Sequence, residues 1–366
     1  MEDSLKLIQL RCANCGAMLS RADKFDSQIK CPYCATVNEV TGTMQRDIAA
    51  PERVIAFKSS DKDFERQICD YFLDDDYAVN DIFEKVEMDN TTAVFLPMFL
   101  FEGKFEANYN CSVGYQETQL STGTNLSGER TIKEKTVTKW RPLSGTAKGN
   151  YAFLSLAFEG DEIIPELAEW TRTFPYDPVS AQPFKMDIIS GQGCQILPHN
   201  LDRETTWHKW GTSTIEYQAK NEAENQLPQG EKIKDFRTTF SYDPKHDGRM
   251  FLVPFWFVYY NYNTQKHFVL MDGLGRNIHG SIPQDFARIN EVNKLQKLGK
   301  WGLWIGIALA LLVTIIPIDG SFVVGLFLGL GAWLGLKFWT KSKVKGIFAA
   351  AREIRKAGHD RVTGSA

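Results

Sequence analysis

The sequence lacks the compact catalytic motifs that spacing alone can reveal. Its 366 residues contain no H-E-x-x-H pair, no G-x-S-x-G elbow, no Walker phosphate loop and no Rossmann glycine pattern. The six histidines are scattered, and the turn Asp243-Pro-Lys-His246-Asp247 is the weak candidate site that groups titratable side chains. We therefore expect no catalytic and no cofactor-binding residues, and we favour a binding protein over an enzyme.

The excess of one charge sign is small, and cysteines are few. The net charge of −3 excludes a chain that is basic throughout, as many nucleic-acid binders are. The N-terminal residues include no apolar run of the kind that a secretory signal requires. Of the seven cysteines, Cys69, Cys111 and Cys194 stand far apart. An odd number of widely spaced thiols favours a reducing compartment over a disulfide framework.

The remaining four cysteines form two C-x-x-C pairs, and they are Cys12, Cys15, Cys31 and Cys34. Fifteen residues separate the pairs, which fits a zinc ribbon, where two tight turns aim four sulfurs at one ion. A redox pair is the alternative, but it belongs to a βαβ context that these short, polar residues do not provide. We predict one structural Zn²⁺ with a closed coordination shell, in a zinc ribbon over residues 1–45.

Residues 52–290 predict an α+β body in which strands dominate. Ser60 and Asp63 fit a capping box before an amphipathic helix at 61–73. A second helix is expected from 202 to 224. Asp272-Gly273 predicts a hairpin turn later in the chain.

Two apolar stretches of the body resemble each other. Phe95–Phe101 aligns with Leu252–Val258 at an offset of 157 residues. This favours a duplicated helix–strand module, although two unrelated strands would give the same likeness. A proline in each stretch, Pro97 and Pro254, indicates edge strands that could accept a partner's strand. The predicted repeats cover residues 55–160 and 185–285.

Two long apolar runs follow the body. Residues 301–318 carry no charge, and residues 321–339 carry one lysine. Each is close to the ~20 residues that cross a bilayer core, so we predict a two-helix transmembrane hairpin over 301–339. Basic residues flank the hairpin, and its Asp319-Gly320 loop has none. By the positive-inside rule this predicts a multi-pass protein of the bacterial inner membrane with both termini in the cytoplasm.

A basic tail closes the chain at residues 340–366. Its apolar residues share one helical face, which is typical of a helix that lies on anionic lipid headgroups. Within the second apolar run, Gly325 and Gly329 form a G-x-x-x-G motif. Such a motif would let the two helices, or two protomers of a homo-oligomer, approach closely.

Most of the chain resembles a group of bacterial zinc-ribbon membrane proteins, whose ribbons are labelled by likeness to the general transcription factor type or to the primosomal helicase. The resemblance implies no assigned activity, and a helicase role does not carry over without a Walker lysine. The matching features are the four cysteines, Phe95–Phe101, Trp140-Arg-Pro-Leu-Ser-Gly145, Leu252–Phe257, Asp272-Gly-Leu-Gly275 with Gly280 and Pro283, and the apolar hairpin.

The sequence thus predicts a membrane-anchored zinc-ribbon protein that acts as a protein-binding adaptor or scaffold at the cytoplasmic face of the inner membrane. Its expected partners are the lipid bilayer and an unidentified protein. One alternative is an enzyme whose site is assembled across the α+β body. Another is a ribbon-based nucleic-acid sensor, which is disfavoured because residues 1–50 carry six basic and six acidic side chains.

Overall fold

The computed structural model describes residues 4–22, 27–31, 34, 36–124, 130–159, 165–189, 194–229, 231–242, 249–314 and 321–364. The strands are β1 (Ser4–Arg11), β2 (Met18–Arg21), β3 (Gln28–Lys30), β4 (Val37–Glu39), β5 (Met44–Ala49), β6 (Arg53–Ile55), β7 (Glu87–Met88), β8 (Thr92–Thr124), β9 (Arg130–Leu156), β10 (Thr173–Pro175), β11 (Ala181–Pro183), β12 (Gln195–Ile196), β13 (Lys232–Tyr242), β14 (Met250–Tyr262), β15 (Gln265–Asp272) and β16 (Ile278–Gly280). The helices are α1 (Asp61–Asp74), α2 (Ile82–Lys85), α3 (Pro165–Trp170), α4 (Met186–Ile189), α5 (Arg203–Thr206), a π-helical turn (Trp207–Gly211), α6 (Thr212–Asn225), α7 (Phe286–Thr314) and α8 (Ser321–Thr363). The α+β class is as the sequence predicts.

The chain divides into two compact units. The first comprises Met1–Ala56 and Val94–Pro254, and the second comprises Phe57–Ala93 and Phe255–Ala366. Each unit is therefore built from two separate stretches of sequence. The predicted boundaries of the body and of its repeats stay a prediction.

The first unit begins with the ribbon. Antiparallel strands in the order β2-β1-β5 form one small sheet, and β3 pairs with β4. Alternate residues of β1 point inwards, so Leu5 and Leu7 are buried together with Leu19 of β2. This period-two pattern gives the ribbon a small core beside its cysteines.

The body of the first unit is organised by the long antiparallel hairpin of β8 and β9. β13 pairs with β8 from Phe105 to Gly114, and β10 pairs with β9 at Phe153–Ser155. The helix α6 packs on one face of this sheet, where its small residues Ala219 and Ala223 are fully buried. Small side chains let the helix approach the sheet closely. The aromatic rings of β8 and β9 pack in the same cluster and supply most of its volume.

Glycines opposite aromatic residues shape this hairpin. A Cβ placed with ideal geometry at Gly145 would lie 2.5 Å from Oη of Tyr109, its partner on β8. A Cβ at Gly149 would lie 2.5 Å from Cζ of Phe105. Each ring therefore lies across the strand that carries its glycine, a cross-strand arrangement that covers the exposed backbone of that glycine.

Beyond Gly114 the hairpin continues as a projection that we call the hairpin arm, residues 115–124 and 130–139. Ten residue pairs join its two strands, from Tyr115↔Lys139 to Thr124↔Arg130. No other described strand pairs with these residues. At ~3.3 Å per residue the arm extends about 30 Å.

The prediction that Pro97 and Pro254 mark free edge strands is wrong. Leu252 lies opposite Pro97, and Pro254 lies opposite Phe95, because the two similar stretches pair with each other as antiparallel neighbours. The carbonyl of Pro97 also accepts a hydrogen bond from the N–H of Ala157 at 2.9 Å. A proline forfeits only its own N–H, so its carbonyl still takes part in sheet pairing.

The second unit packs α1 on the sheet formed by β14, β15 and β16. The predicted capping box is confirmed, because the Ser60 side chain accepts from the Asp63 N–H and the Asp63 side chain accepts from the Ser60 N–H. Phe64, Ile68 and Phe72 of α1 are buried against the sheet. The predicted turn at Asp272 is also present, and it joins β15 to β16.

The basic tail packs against α1 and α2 of its own unit. Arg355 is fully buried and donates to the carbonyls of Leu73 and Ala78 at 3.3 and 2.9 Å. Arg352 pairs with Asp74 at 2.5 Å. Arg352 and Arg355 therefore have partners within the protein, while the prediction that the basic amphipathic helix lies on anionic headgroups stays a prediction.

The predicted transmembrane hairpin over 301–339 is also a prediction that the structure corrects. No helix in the described part of the chain is both long and apolar enough to cross a bilayer. In α8 the apolar residues are followed, within the same helix, by a lysine-rich stretch. The predicted loop at Asp319-Gly320 lies outside the described residues.

The assignment to the inner membrane, multi-pass with both termini in the cytoplasm, depended on that hairpin and is withdrawn with it. Large apolar side chains are nevertheless exposed on both helices. They include Trp301, Trp304, Phe327 and Phe338. Such a concentration of exposed apolar surface marks an interaction site rather than an ordinary protein surface.

Candidate metal centre

Two hairpin turns of the ribbon bring the four predicted cysteines together. Cys12 and Cys15 lie in the turn between β1 and β2, while Cys31 and Cys34 lie in the turn between β3 and β4. Their sulfur atoms all lie within 4.8 Å of one another. This is the one group of three or more metal-ligating side chains among the described residues.

The spacing of the sulfurs fits a tetrahedral zinc ion. Cys12 Sγ lies 3.6 Å from Cys34 Sγ, and Cys15 Sγ lies 3.7 Å from Cys31 Sγ. In a tetrahedron with Zn–S bonds of ~2.3 Å, neighbouring sulfurs are about 3.8 Å apart. Four thiolates complete the coordination shell, so the centre holds one structural Zn²⁺ and leaves no position for substrate or water.

Backbone hydrogen bonds hold each turn in shape. The N–H of Cys12 donates to the carbonyl of Ala17 at 2.9 Å, and the N–H of Cys31 donates to the carbonyl of Thr36 at 2.8 Å. Gly16 has φ +74°, a left-handed conformation that glycine adopts without strain.

Asn38 joins the two turns, and sequence reasoning missed it. Its side-chain oxygen accepts from the N–H of Ala13 at 2.8 Å in the first turn. Its amide donates to the carbonyl of Thr36 at 2.9 Å in the second turn. Asn38 is buried in the structure. Its position four residues after the last cysteine is the sequence signal that could have identified it.

The ribbon favours ionised sulfur at Cys34. Burial alone would raise its pKa, but hydrogen bonds with the side chain and backbone of Thr36 outweigh burial and lower the pKa to about 6. Burial raises the pKa of Cys15. A thiolate is the form that binds metal, so the shift at Cys34 favours binding and the shift at Cys15 opposes it.

Comparison with known proteins supports the ribbon. The family model described as Mu-like prophage protein Com, a zinc ribbon, matches residues 6–50. No curated protein and no solved structure matches the chain. The likeness is thus to a zinc-ribbon family over the N-terminal region, and the predicted membership in a wider group of bacterial membrane proteins has no support from these comparisons.

The other candidate residues are not brought into a comparable centre. Asp243–Asp247 lies outside the described residues. No disulfide joins any of the seven cysteines. Burial raises the pKa of both Cys69 and Cys111, which makes these thiols poor nucleophiles.

A serine–histidine contact in the second unit was also missed from the sequence. Ser281 Oγ lies 3.3 Å from Nδ1 of His267, and burial lowers the pKa of that histidine. However, Ser281 Oγ also accepts from the N–H of Phe268 at 3.2 Å. Nε2 of His267 is buried, with no hydrogen-bond partner among the described residues. A catalytic triad needs a group there to orient the ring, so we interpret this contact as structural.

Proposed function

We propose that the protein is an adaptor that binds other proteins, and that the hairpin arm and the free edge of β9 form its docking surface. The observation that carries the proposal is the arm itself, ten residue pairs long with two strands. An isolated two-stranded hairpin is marginally stable in water. The arm would therefore gain stability from a third strand supplied by a partner.

The edge of β9 supports this mode of binding. Among the described strands, β10 alone pairs with this edge, and it covers only Phe153–Ser155. The rest of the edge presents backbone N–H and C=O groups that can pair with an extended segment of another chain. This edge takes the place of the ones predicted at Pro97 and Pro254.

The charge of β9 indicates which kind of partner segment it would bind. β9 contains six lysine or arginine residues and one glutamate. Lysines along an edge discourage indiscriminate pairing between sheets, and they favour an acidic segment over a neutral one. Lys139 and Lys148 already contact Glu117 and Glu106, but both pairs are exposed and therefore weak. The proposed partner is thus a protein with an acidic, extended segment.

A tryptophan at the base of the arm provides an anchor. The side chain of Trp140 lies opposite Gly114 and is 40% exposed. Lys234 Nζ lies 4.2 Å from the Trp140 ring centroid, and the Arg141 guanidinium lies 5.3 Å from the Tyr115 ring centroid. Tryptophan, tyrosine and arginine are the residues that most often dominate protein–protein binding energy.

The structure of the ribbon gives little support to a role in binding nucleic acid. Arg11, the last residue of β1, donates to the carbonyl of Gly16 in the first cysteine turn at 3.0 Å. Its guanidinium thus supports the metal turn. Together with the balanced charge of residues 1–50, this favours a structural ribbon over one that tracks phosphates.

Site-specific photocrosslinking in cells tests the proposal. A photoreactive phenylalanine derivative replaces Lys135 on the arm in one variant and Tyr217 in the control. Tyr217 is 67% exposed on α6, away from the arm residues in sequence and on a different element. We expect the arm position to yield one discrete protein adduct and the α6 position to yield none.

A second substitution gives the experiment its specificity. Trp140→Ala in the Lys135 crosslinking background should reduce the adduct on the order of tenfold if the ring is an anchor. The adduct should also contain an acidic segment at the crosslinked site. A nuclease-sensitive adduct would instead assign the arm to nucleic acid. Equal adducts from the arm and α6 would show that the arm has no special role.

A further inference from the structure

A groove in the second unit lies between α7 and α8. Its volume is about 780 Å³, within the ~300–1,000 Å³ of typical ligand sites. The helices approach closely on one side, where a Cβ at Gly306 would lie 2.5 Å from the carbonyl oxygen of Gly329. The groove runs along the neighbouring stretch of the same two helices.

The groove combines an apolar floor with ammonium groups. Leu303, Trp333 and Phe348 supply apolar surface, and most of the lining is apolar. Four lysines share the groove, and no aspartate or glutamate is among its lining residues. The lysines are Lys300, Lys337, Lys341 and Lys345.

The arrangement of these lysines is unfavourable without a bound anion. Lys337, Lys341 and Lys345 follow one another at four-residue intervals on α8, so they lie on one face of the helix. Like charges at this spacing repel one another and destabilise a helix. Lys300 of α7 adds a fourth positive charge to the same space. An anion in the groove would convert this repulsion into attraction.

We propose that the groove binds a monomeric anionic amphiphile, such as a long-chain carboxylate. The apolar chain would lie against Leu303, Trp333 and Phe348, and the carboxylate would meet the lysine ammonium groups. Lys337 Nζ lies 5.2 Å from the Trp333 ring centroid, so one ammonium group already lies where apolar and charged surfaces meet. The proposal concerns a different unit from the hairpin arm and stands apart from the adaptor function.

Binding is measured with the full-length protein and 11-(dansylamino)undecanoic acid, kept below its micelle concentration. We expect the probe's fluorescence to rise on binding and dodecanoate to displace it. Dodecanol, which has the same chain without the charge, should bind more weakly. Inorganic phosphate, which has charge without the chain, should displace the probe poorly.

Substitutions on α8 localise the site. Lys341→Glu with Lys345→Glu should weaken probe binding on the order of tenfold or more, as expected when attractive charges become repulsive. Lys343→Glu is the matched control, because Lys343 lies on the same helix but does not line the groove. Lys341→Gln should give an intermediate loss. All three lysines are exposed, and circular dichroism checks that each variant keeps its helices.

Several outcomes would overturn the proposal. Equal losses from the control and the groove variants would indicate a general effect of charge. Equal affinity for dodecanol would remove the role of the lysines. Binding to anionic phospholipid vesicles without binding of the monomeric probe would assign the face to a lipid surface. Displacement by phosphate as effective as by dodecanoate would assign it to a bare anion.

Discussion

Replacing Arg355 with methionine tests the docking of the C-terminal helix most directly. Methionine is long and apolar, so it can fill much of the same space without a charge. The guanidinium of Arg355 donates to the carbonyls of Leu73 and Ala78. Leu73 is in the last turn of α1, so Arg355 places a positive charge at the negative end of that helix.

The expected loss of stability depends on which hydrogen bonds the carbonyls of Leu73 and Ala78 retain in the variant. The carbonyl of Ala78 still accepts from Arg288 Nη1 at 2.8 Å, so it remains satisfied. The carbonyl of Leu73, which is part-buried, loses its guanidinium donor, and an acceptor left unsatisfied away from water costs about 1–3 kcal/mol. Some of this is offset, because burial and the charge of Arg288 both lower the pKa of Arg355 and thus oppose its charged form. We expect a net loss of about 2 kcal/mol, roughly 30-fold in the opening equilibrium.

Arg352→Met is the matched control, one turn earlier on the same helix. Arg352 pairs with Asp74, but the side chains are 58% and 64% exposed, and such pairs contribute about 0–1 kcal/mol. Amide hydrogen exchange measures the opening of α8 directly, and peptides from the first unit provide an internal reference. Unchanged protection of α8 in Arg355→Met, or an equal loss in Arg352→Met, would refute the reasoning.

Three further predictions concern the ribbon, the glycines and pH. Cys31→Ser should lower the zinc content, measured by elemental analysis, from one ion per chain to a small fraction. The ribbon should also unfold, since metal contributes on the order of 10 kcal/mol to such units. Full-length wild-type protein that contains no zinc after expression in zinc-replete medium would contradict this prediction. Gly145→Ala should destabilise the first unit by about 1–3 kcal/mol because its Cβ would overlap Tyr109. Gly346→Ala, which has open space in α8, should stabilise by up to about 1 kcal/mol. Urea midpoints that shift in the same direction for the two variants would contradict the expected contrast between them. Burial lowers the pKa of His199 from 6.5, so the unfolded chain takes up a proton first as pH falls, and stability should decrease below about pH 6.5. His199→Gln should lessen that decrease, and an unchanged profile would exclude the histidine as its source.

The ribbon and α1 could be predicted because their signals are local. The two cysteine pairs and the capping box at Ser60 each involve residues a few positions apart, where sequence spacing largely fixes geometry. The surroundings of the tail could not be predicted in the same way. Arg352 and Asp74 are 278 positions apart in the chain. A pattern of basic residues indicates that a counter-charge is needed, but it does not say whether lipid or protein supplies it.

The apolar runs show the limit of composition as evidence. Their length and lack of charge predicted a bilayer span, but the described helices do not provide one. In the structure, large apolar side chains of these helices are exposed, since Trp304 and Phe338 are 65% and 70% exposed. Apolar surface needs a partner of some kind, and the lysine-lined groove between the same helices specifies the charge that such a partner should carry.

The hairpin of β8 and β9 carries a signal that pairwise reasoning could have used. In its register, the numbers of any two opposite residues add up to the same value, so the pattern of one strand is the mirror image of the other about a fixed point. Every close glycine–aromatic contact in the hairpin obeys that mirror, because a ring can cover a glycine only if it lies directly opposite. A sequence in which several glycines and aromatics mirror each other about one turn therefore predicts both a long hairpin and its register. The pairs are Gly103 with Tyr151, Phe105 with Gly149, Tyr109 with Gly145, and Gly114 with Trp140.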